Sequence, residues 1–486
     1  MLDKREHEVV KGLKWSTINK IITSVFALIQ VMVLTRYLDV PVFGQVAIAW
    51  VVINFTHVFV DMGITSAVMH KLDATRRQIN SLYWLNLLVS LILYGALYGL
   101  TPFLSQLYDS PTLIPVIRLL GINLVLITVG RLPQTLLQRE FRFKSICLGE
   151  SLSVILGTIV AIALAIDGKG IYSLVYSTLV KSCVASIIFW WKSREIHKIG
   201  WGFSLEEVKE LLKIGGYAMG ASILDVLSEE ADILVLGITL TPHAVGVYSL
   251  VKELLSRFFT LINSVVQSVL SPYLSRLQYE PHRLKRTYCM VVHMMAQLNF
   301  PLYMGLAFLS REVLTLLYGE SFQSGDIVMT FLALAYAIQS ISSPVGALQI
   351  ATGRTDLGFR WTIFRVIITP LVIFLSSFWG AEAVAASFFA LCLFMQYPAW
   401  RIMIYRMIDL SFIDYIRCYS RSFVIICICL ILSFLLNPFI PFESLWGLIV
   451  AKGAFIALLF LILTFFVDRR GWRQYMEWGR NFRSLI

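Results

Sequence analysis

Charge is what this 486-residue sequence has least of: Asp, Glu, Lys and Arg make up 15% of it, against about 25% in soluble domains. With 58% hydrophobic residues and a mean hydropathy of +0.75, that shortage excludes water as the solvent for most of the chain. The length therefore gives no soluble-domain count; the bilayer sets the architecture. Paired cysteines are lacking too. Cys147, Cys183, Cys289, Cys392, Cys418, Cys427 and Cys429 form no Cys-x-x-Cys pair and fall mostly in apolar runs, which reads as reduced packing residues with neither a disulfide framework nor a metal site. No small-residue cleavage site follows the first apolar stretch, so the start Met-Leu-Asp-Lys-Arg-Glu-His-Glu is expected to lead into a retained helix, not a removed signal peptide.

What is present is a succession of apolar runs long enough to cross a hydrocarbon core of about 30 Å. They lie near 13-35, 43-64, 80-104, 114-137, 146-166, 170-191, 211-238, 244-274, 286-310, 326-351, 357-378, 382-406, 418-437 and 445-467. The expected fold class is thus all-α integral membrane with about fourteen transmembrane helices. The net charge of +11 is no nucleic-acid footprint, because the bases gather in alternate short connections. One side holds Lys4, Arg5, Lys11, Lys71, Arg76, Arg77, Arg139, Arg142, Lys144, Lys192, Arg194 and Lys198, and later Arg276, Arg283, Lys285, Arg286, Arg354, Arg360, Arg401, Arg406 and the tail from Arg469 to Arg483. The other side is nearly bare of bases. Excess Lys and Arg marks the cytoplasmic face, so both termini are expected inside, which requires an even number of spans. The outer loops are short, the longest running from about Arg311 to Asp326. An extracytoplasmic catalytic loop does not fit there, which argues against an enzyme of glycan assembly.

Shifting the chain by 202 residues lays Leu34, Leu38, Pro41 and Gly44 over Leu236, Leu240, Pro242 and Gly246, with Pro41 and Pro242 one place out of register. Lys11 meets Lys213, and Trp15 meets Tyr217. Six spans separate the copies, so the repeat is parallel. It predicts two pseudo-symmetric six-helix lobes, 1–198 and 199–410, followed by two extra helices and a basic tail in 411–486. Repeat-built transporters hold substrate where the repeats face each other.

Several stretches carry a resemblance: Thr35-Arg36-Tyr37-Leu38 through Phe43-Gly44; Gly130-Arg131-Leu132-Pro133 through Gln138-Arg139-Glu140-Phe141-Arg142-Phe143; Gly168 to Val175; Ala231-Asp232 through Gly246-Val247-Tyr248-Ser249; and Thr352-Gly353-Arg354-Thr355-Asp356. None is a catalytic motif; their order and spacing resemble the Wzx-type polysaccharide flippases of the multidrug/oligosaccharidyl-lipid/polysaccharide (MOP) superfamily, in the colanic acid exporter-like branch. The resemblance reaches about residue 360. It implies a MATE-like transporter of the bacterial inner membrane, serving lipopolysaccharide or exopolysaccharide synthesis. The implied action is to flip undecaprenyl-diphosphate-linked oligosaccharide repeat units from the cytoplasmic to the outer leaflet by alternating access. It implies no cofactor; the driving force stays open between membrane potential, H+ and Na+. The implied partners are the lipid-linked oligosaccharide, membrane lipids, a polysaccharide polymerase and a chain-length regulator, with no nucleic acid. A multidrug antiporter of the same superfamily, or a peptidoglycan lipid-precursor flippase, is the alternative.

Ionisable groups within a span are functional candidates by default, since each costs about 2.5 to 3.5 kcal/mol at the bilayer centre on insertion scales. Arg131 and Lys181 have no acid within a turn on their own helices and suit a diphosphate; Lys252, Arg257, Arg365 and Arg36 are further candidates for substrate binding. Asp225, Glu229 and Asp232 share one face of the seventh span by helical spacing. With Asp61 they are the candidates for coupling or gating. They stand against a second reading in which these acids pair with Lys252 and Arg257, or Glu253 pairs with Arg257 four residues on. Asp232 overlies Gln30 at the 202 shift, so both are expected to face the cavity. The many bases argue against an acidic, drug-binding cavity.

Overall fold

The computed structural model describes residues 2–61, 68, 75–436 and 444–467, and among them it is built of helices and short connections. Eleven helices are long and apolar enough to span a membrane, twelve if one bent pair is a single span. The expected spans at 211–238 and 244–274 coincide with two 35-residue helices, α7 (Leu205–Thr239) and α8 (Pro242–Arg276). At 1.5 Å per residue each is about 50 Å long, but Asp225, Glu229, Glu230, Asp232, Lys252, Glu253 and Arg257 leave neither among the apolar spans. Fourteen crossings therefore do not follow from apolar length alone.

The chain divides into two compact units, 1–249 and 250–486. In the first, α1 (Leu2–Leu34), α2 (Val40–Asp61), α3 (Arg76–Leu107), α4 (Leu113–Arg139), α5 (Phe143–Ile166) and α6 (Ile171–Ser193) are joined by α7 and the start of α8. Its main helix pairings are α5 with α6, α4 with α6, α1 with α5 and α3 with α4, while α2 lies along α7 and α4. The divide between these compact units falls within α8, and α7 packs on α2 and α3.

Without a hydrophobic force between helices in lipid, small residues and interhelical hydrogen bonds hold such bundles. Ser186 of α6 sits against Gly130 of α4 and donates to the Leu126 carbonyl at 2.6 Å. Ser177 donates to the Gly157 carbonyl at 2.8 Å. The closest approach joins the two glycines that the 202-residue repeat pairs. A Cβ on Gly44 would lie 2.9 Å from the Gly246 amide nitrogen and closer still to the Pro242 carbonyl oxygen; one on Gly246 would lie 3.1 Å from the Gly44 nitrogen and closer still to the Val40 carbonyl oxygen. The starts of α2 and α8 thus cross backbone to backbone, each presenting the same short motif to the other.

After α6 the chain folds back on the start of α3. Thr75 caps that helix with a capping box completed by Gln78. Ser81 accepts the Ser204 amide at 2.9 Å, Trp84 donates to the Gly200 carbonyl at 3.1 Å and stacks on Trp201, and His197 bonds Asn80 at 2.8 Å.

In the second unit α9 (Pro281–Phe308) breaks at Leu309 and turns by 80° into α10 (Ser310–Tyr318). The connection after 310, expected to be the longest outer loop, is therefore helical, ending in a 3-10 turn over Glu320–Gly325. Next come α11 (Asp326–Ser342), α12 (Val345–Thr352), α13 (Thr355–Ser377) and α14 (Ala381–Ala399), the last running on through a π-helical turn at Trp400–Ile404 to Ile408. Finally α15 (Phe412–Leu436) packs on α9, and α16 (Leu445–Val467) on α15. Lys452 of α16, only 5% exposed in its side chain, forms an ion pair with Glu312 of α10 at 3.4 Å.

Candidate functional site

The first unit carries a polar seam through an otherwise apolar bundle. At one level Asn19 of α1 donates to one oxygen of Glu150 on α5, Gln134 of α4 donates to the other at 2.7 Å, and Ser151 donates to Asn19 at 3.2 Å. Arg131 lies one turn before Gln134 on the same face of α4. At a second level Lys181 of α6 donates from Nζ to Gln30 Oε1 at 2.6 Å, and Thr158 of α5 reaches the same oxygen at 3.4 Å. Space for the Lys181 chain comes from Gly157, where a Cβ would meet its methylenes at 3.0 Å or less.

Lys181, expected to have no partner on its own helix, thus has a hydrogen-bond partner on another. The partner of Lys181 comes from α1, far away in sequence, where spacing on one helix gives no sign of it. Glu150 is the residue that sequence reasoning missed. It is a lone acid in a strongly apolar run, and that was the available signal.

The expected acidic stripe on α7 divides. Asp225 and Glu229 are exposed, whereas Asp232 is 6% exposed and accepts the Tyr248 hydroxyl at 3.0 Å and the amide of Ile233 at 2.8 Å. Gln30, at 5%, is buried as well. Both are buried and hydrogen-bonded to residues of the first unit, as buried polar groups require. Arg36 is exposed at the end of α1, and the Asp61 side chain lies outside the described residues.

In the second unit Glu253 and Arg257 form the expected pair one turn apart, and Lys252 and Arg365 are half-buried. Asn263 accepts the Ser343 hydroxyl at 2.8 Å, and Gln267 donates to the Ser343 carbonyl. Elsewhere in that unit a cavity of about 510 Å³ is lined by Gln278, Tyr279, Thr352, Tyr405, Arg406 and Asp409; none of the six expected binding residues reaches it. Among the described residues no cluster of His, Cys, Asp and Glu could hold a metal ion.

The family described as "Polysaccharide biosynthesis protein" matches residues 33–325, more than half of the chain. The chain belongs to that family. It is 25% identical over 410 residues to the lipopolysaccharide biosynthesis protein WzxC of Escherichia coli K12, covering 84% of this chain and 83% of WzxC. It is 23% identical over 476 residues to the succinoglycan biosynthesis transport protein ExoT of Rhizobium meliloti, covering 97% and 96%. Among solved structures it is similar to the lipid II flippase MurJ in an inward closed conformation, with a TM-score of 0.74 over 94% of this chain and 99% of that one at 14% identity. An inward-facing MATE transporter of the MOP superfamily matches with a TM-score of 0.63 over 81% and 99% at 15% identity. At those identities the likeness establishes the fold, which is that of the MOP transporters. This member of the polysaccharide biosynthesis family is thus an all-helical, multi-span membrane protein of transporter architecture.

Proposed function

We propose that the chain is a flippase that carries undecaprenyl-diphosphate-linked oligosaccharide repeat units from the cytoplasmic to the outer leaflet of a bacterial inner membrane, by alternating access, for polysaccharide export. The observation that carries the reading is the nearly end-to-end match to a relative named as a transport protein of succinoglycan synthesis, on a chain with a flippase-like fold. A cargo with a charged head and a long apolar tail fits a bundle whose one unit carries a basic polar seam while its outer faces are apolar. Arg131 and Lys181 are the proposed contacts for the diphosphate, with Lys252, Arg257, Arg365 and Arg36 as further basic contacts. Asp61, Asp225, Glu229 and Asp232 are the proposed coupling or gating acids.

An inside-negative potential contributes about 2.3 kcal/mol per charge per 100 mV, so outward movement of a dianion is favoured by roughly 4 to 5 kcal/mol. Potential alone can drive the step; H+ or Na+ exchange at an acid would add to it. The loop charges favour both termini in the cytoplasm. Work beside a polymerase and a chain-length regulator follows from the same place in synthesis, because flipped units are joined outside.

Deleting the gene in its native host and probing the inner-membrane leaflets for the lipid-linked unit tests the reading. The unit should accumulate on the cytoplasmic leaflet while surface polysaccharide disappears. Continued appearance of the unit on the outer leaflet would overturn it.

A further inference from the structure

We infer that Arg118, held against Tyr98 beside an open furrow of α3, binds the phosphodiester headgroup of a membrane phospholipid at the base-poor end of the first unit. The local sequence builds the site. Pro102 lies inside α3 and has no N–H to give the Tyr98 carbonyl four residues back. The Thr101 hydroxyl donates to that carbonyl at 2.8 Å instead, which turns its oxygen toward a donor, and Arg118 of α4 supplies one from Nε at 3.0 Å. The guanidinium carbon sits 4.1 Å from the centre of the Tyr98 ring. The Tyr94 hydroxyl donates to the Arg118 carbonyl at 3.2 Å, so α3 grips this residue by backbone and side chain alike. Among the described residues Arg118 forms no ion pair, and no protein group takes its two Nη nitrogens. Asp109, the one charged residue of the turn 108–112, is exposed and forms no ion pair with it.

A half-buried arginine near a helix end can satisfy its charge by snorkelling to interfacial water or by taking an anion. Snorkelling leaves the head mobile, whereas this one is pinned by a hydrogen bond and an aromatic face. Two Nη donors in a fixed plane match two phosphate oxygens. The surface beside them fits the rest of a lipid. Leu88, Ile92, Gly95, Gly99 and Phe103 are all exposed and fall within about 80° of one another around α3 by helical spacing. A Cβ on Gly95 or Gly99 would meet nothing within 4 Å, so the stripe is a furrow between larger side chains. From Leu88 to Phe103 it runs about 22 Å, enough for a chain crossing one leaflet of a ~30 Å core. One fixed cation matches one singly charged phosphodiester. Phosphatidylglycerol brings that phosphate without a compensating ammonium, so charge complementarity favours it over phosphatidylethanolamine. The site stands apart from the polar seam and does not depend on the flippase reading.

Native mass spectrometry of the purified protein, titrated separately with phosphatidylglycerol, phosphatidylethanolamine and undecaprenyl phosphate, reads the affinity of the tightest-bound lipid. Wild type should take phosphatidylglycerol first. Arg118→Gln should weaken that binding about tenfold or more, the scale of hydrogen bonds to a charged group. Arg118→Lys keeps the charge without the planar fork and should fall between the two. Gly99→Leu fills the furrow where the fold leaves open space, leaves Arg118 in place and should weaken binding as well. Thermal melting of each variant separates lost binding from lost fold; if Arg118→Gln does not fold, Gly99→Leu decides by the same loss. Equal phosphatidylglycerol binding by wild type and the folded variants would overturn the site and leave Arg118 a snorkelling anchor. Preference for undecaprenyl phosphate, lost in the same variants, would overturn the phospholipid as its occupant.

Discussion

Adding one methyl group at Gly44 tests the backbone crossing at the centre of the first unit. In Gly44→Ala the new Cβ would meet the Gly246 nitrogen and the Pro242 carbonyl carbon at 2.9 Å, distances that Cβ atoms essentially never show. Both are backbone atoms, so no side chain can rotate aside and α2 and α8 must separate. Overpacking costs about 1 to 3 kcal/mol and occasionally more, and a rigid neighbour puts this site at the upper end. The higher helix propensity of Ala returns up to about 1 kcal/mol, leaving a net loss of roughly 2 kcal/mol by the same estimates. Gly95 and Gly99 of α3 are matched controls, since a Cβ at either meets nothing within 4 Å. Alanine there should be neutral or stabilising. Thermal unfolding of the purified variants in detergent measures the difference: Gly44→Ala and Gly246→Ala should both melt well below wild type. The double variant should lose less than the sum, because one separation relieves both contacts. If Gly44→Ala melts with Gly95→Ala, the two helices do not cross this closely and the reasoning fails.

Three further outcomes are expected. Lys452→Met leaves the half-buried Glu312 without its cation, at a cost below the about 3 to 5 kcal/mol of breaking a fully buried pair, and adding Glu312→Gln should recover most of the loss in unfolding measurements. Burial and the Arg76 charge hold the His197 imidazole below its ordinary range, so the folded state binds its proton less readily than the unfolded chain. Stability from His197 is thus present above about pH 6.5 and falls away below it; Trp84 and Trp201 fluorescence should report release of the 194–204 segment on acidification, and the change should be absent in His197→Gln. Lys181→Met leaves Gln30 with Thr158 alone and should slow flipping in liposomes about tenfold or more, the usual effect of removing one charged contact.

The sequence makes most of the helical framework legible because hydropathy is a local property. Each apolar run from 13-35 to 445-467 meets a helix in the structure. The break at Leu309 was not legible: no proline or glycine sits there, and α10 reads as loop because Arg311 and Glu312 interrupt its apolar residues. Single-helix periodicity found the Glu253–Arg257 pair, which lies on one helix. It could not find Lys181 with Gln30, or Glu150 with Asn19 and Gln134, because those contacts join different helices. The repeat offered more than hydropathy. It singled out Gly44 and Gly246, and these are the two residues whose backbones meet.

The central claim is that this chain moves lipid-linked oligosaccharide across a bilayer. Its most direct test is transbilayer movement of an undecaprenyl-diphosphate-linked oligosaccharide in liposomes holding the purified protein, with and without an imposed potential, comparing wild type with Arg131→Ala and Lys181→Ala. The account predicts movement that the potential accelerates toward the positive side and that both variants depress. Extrusion of cationic dyes, with the lipid-linked sugar staying where it was loaded, would contradict it.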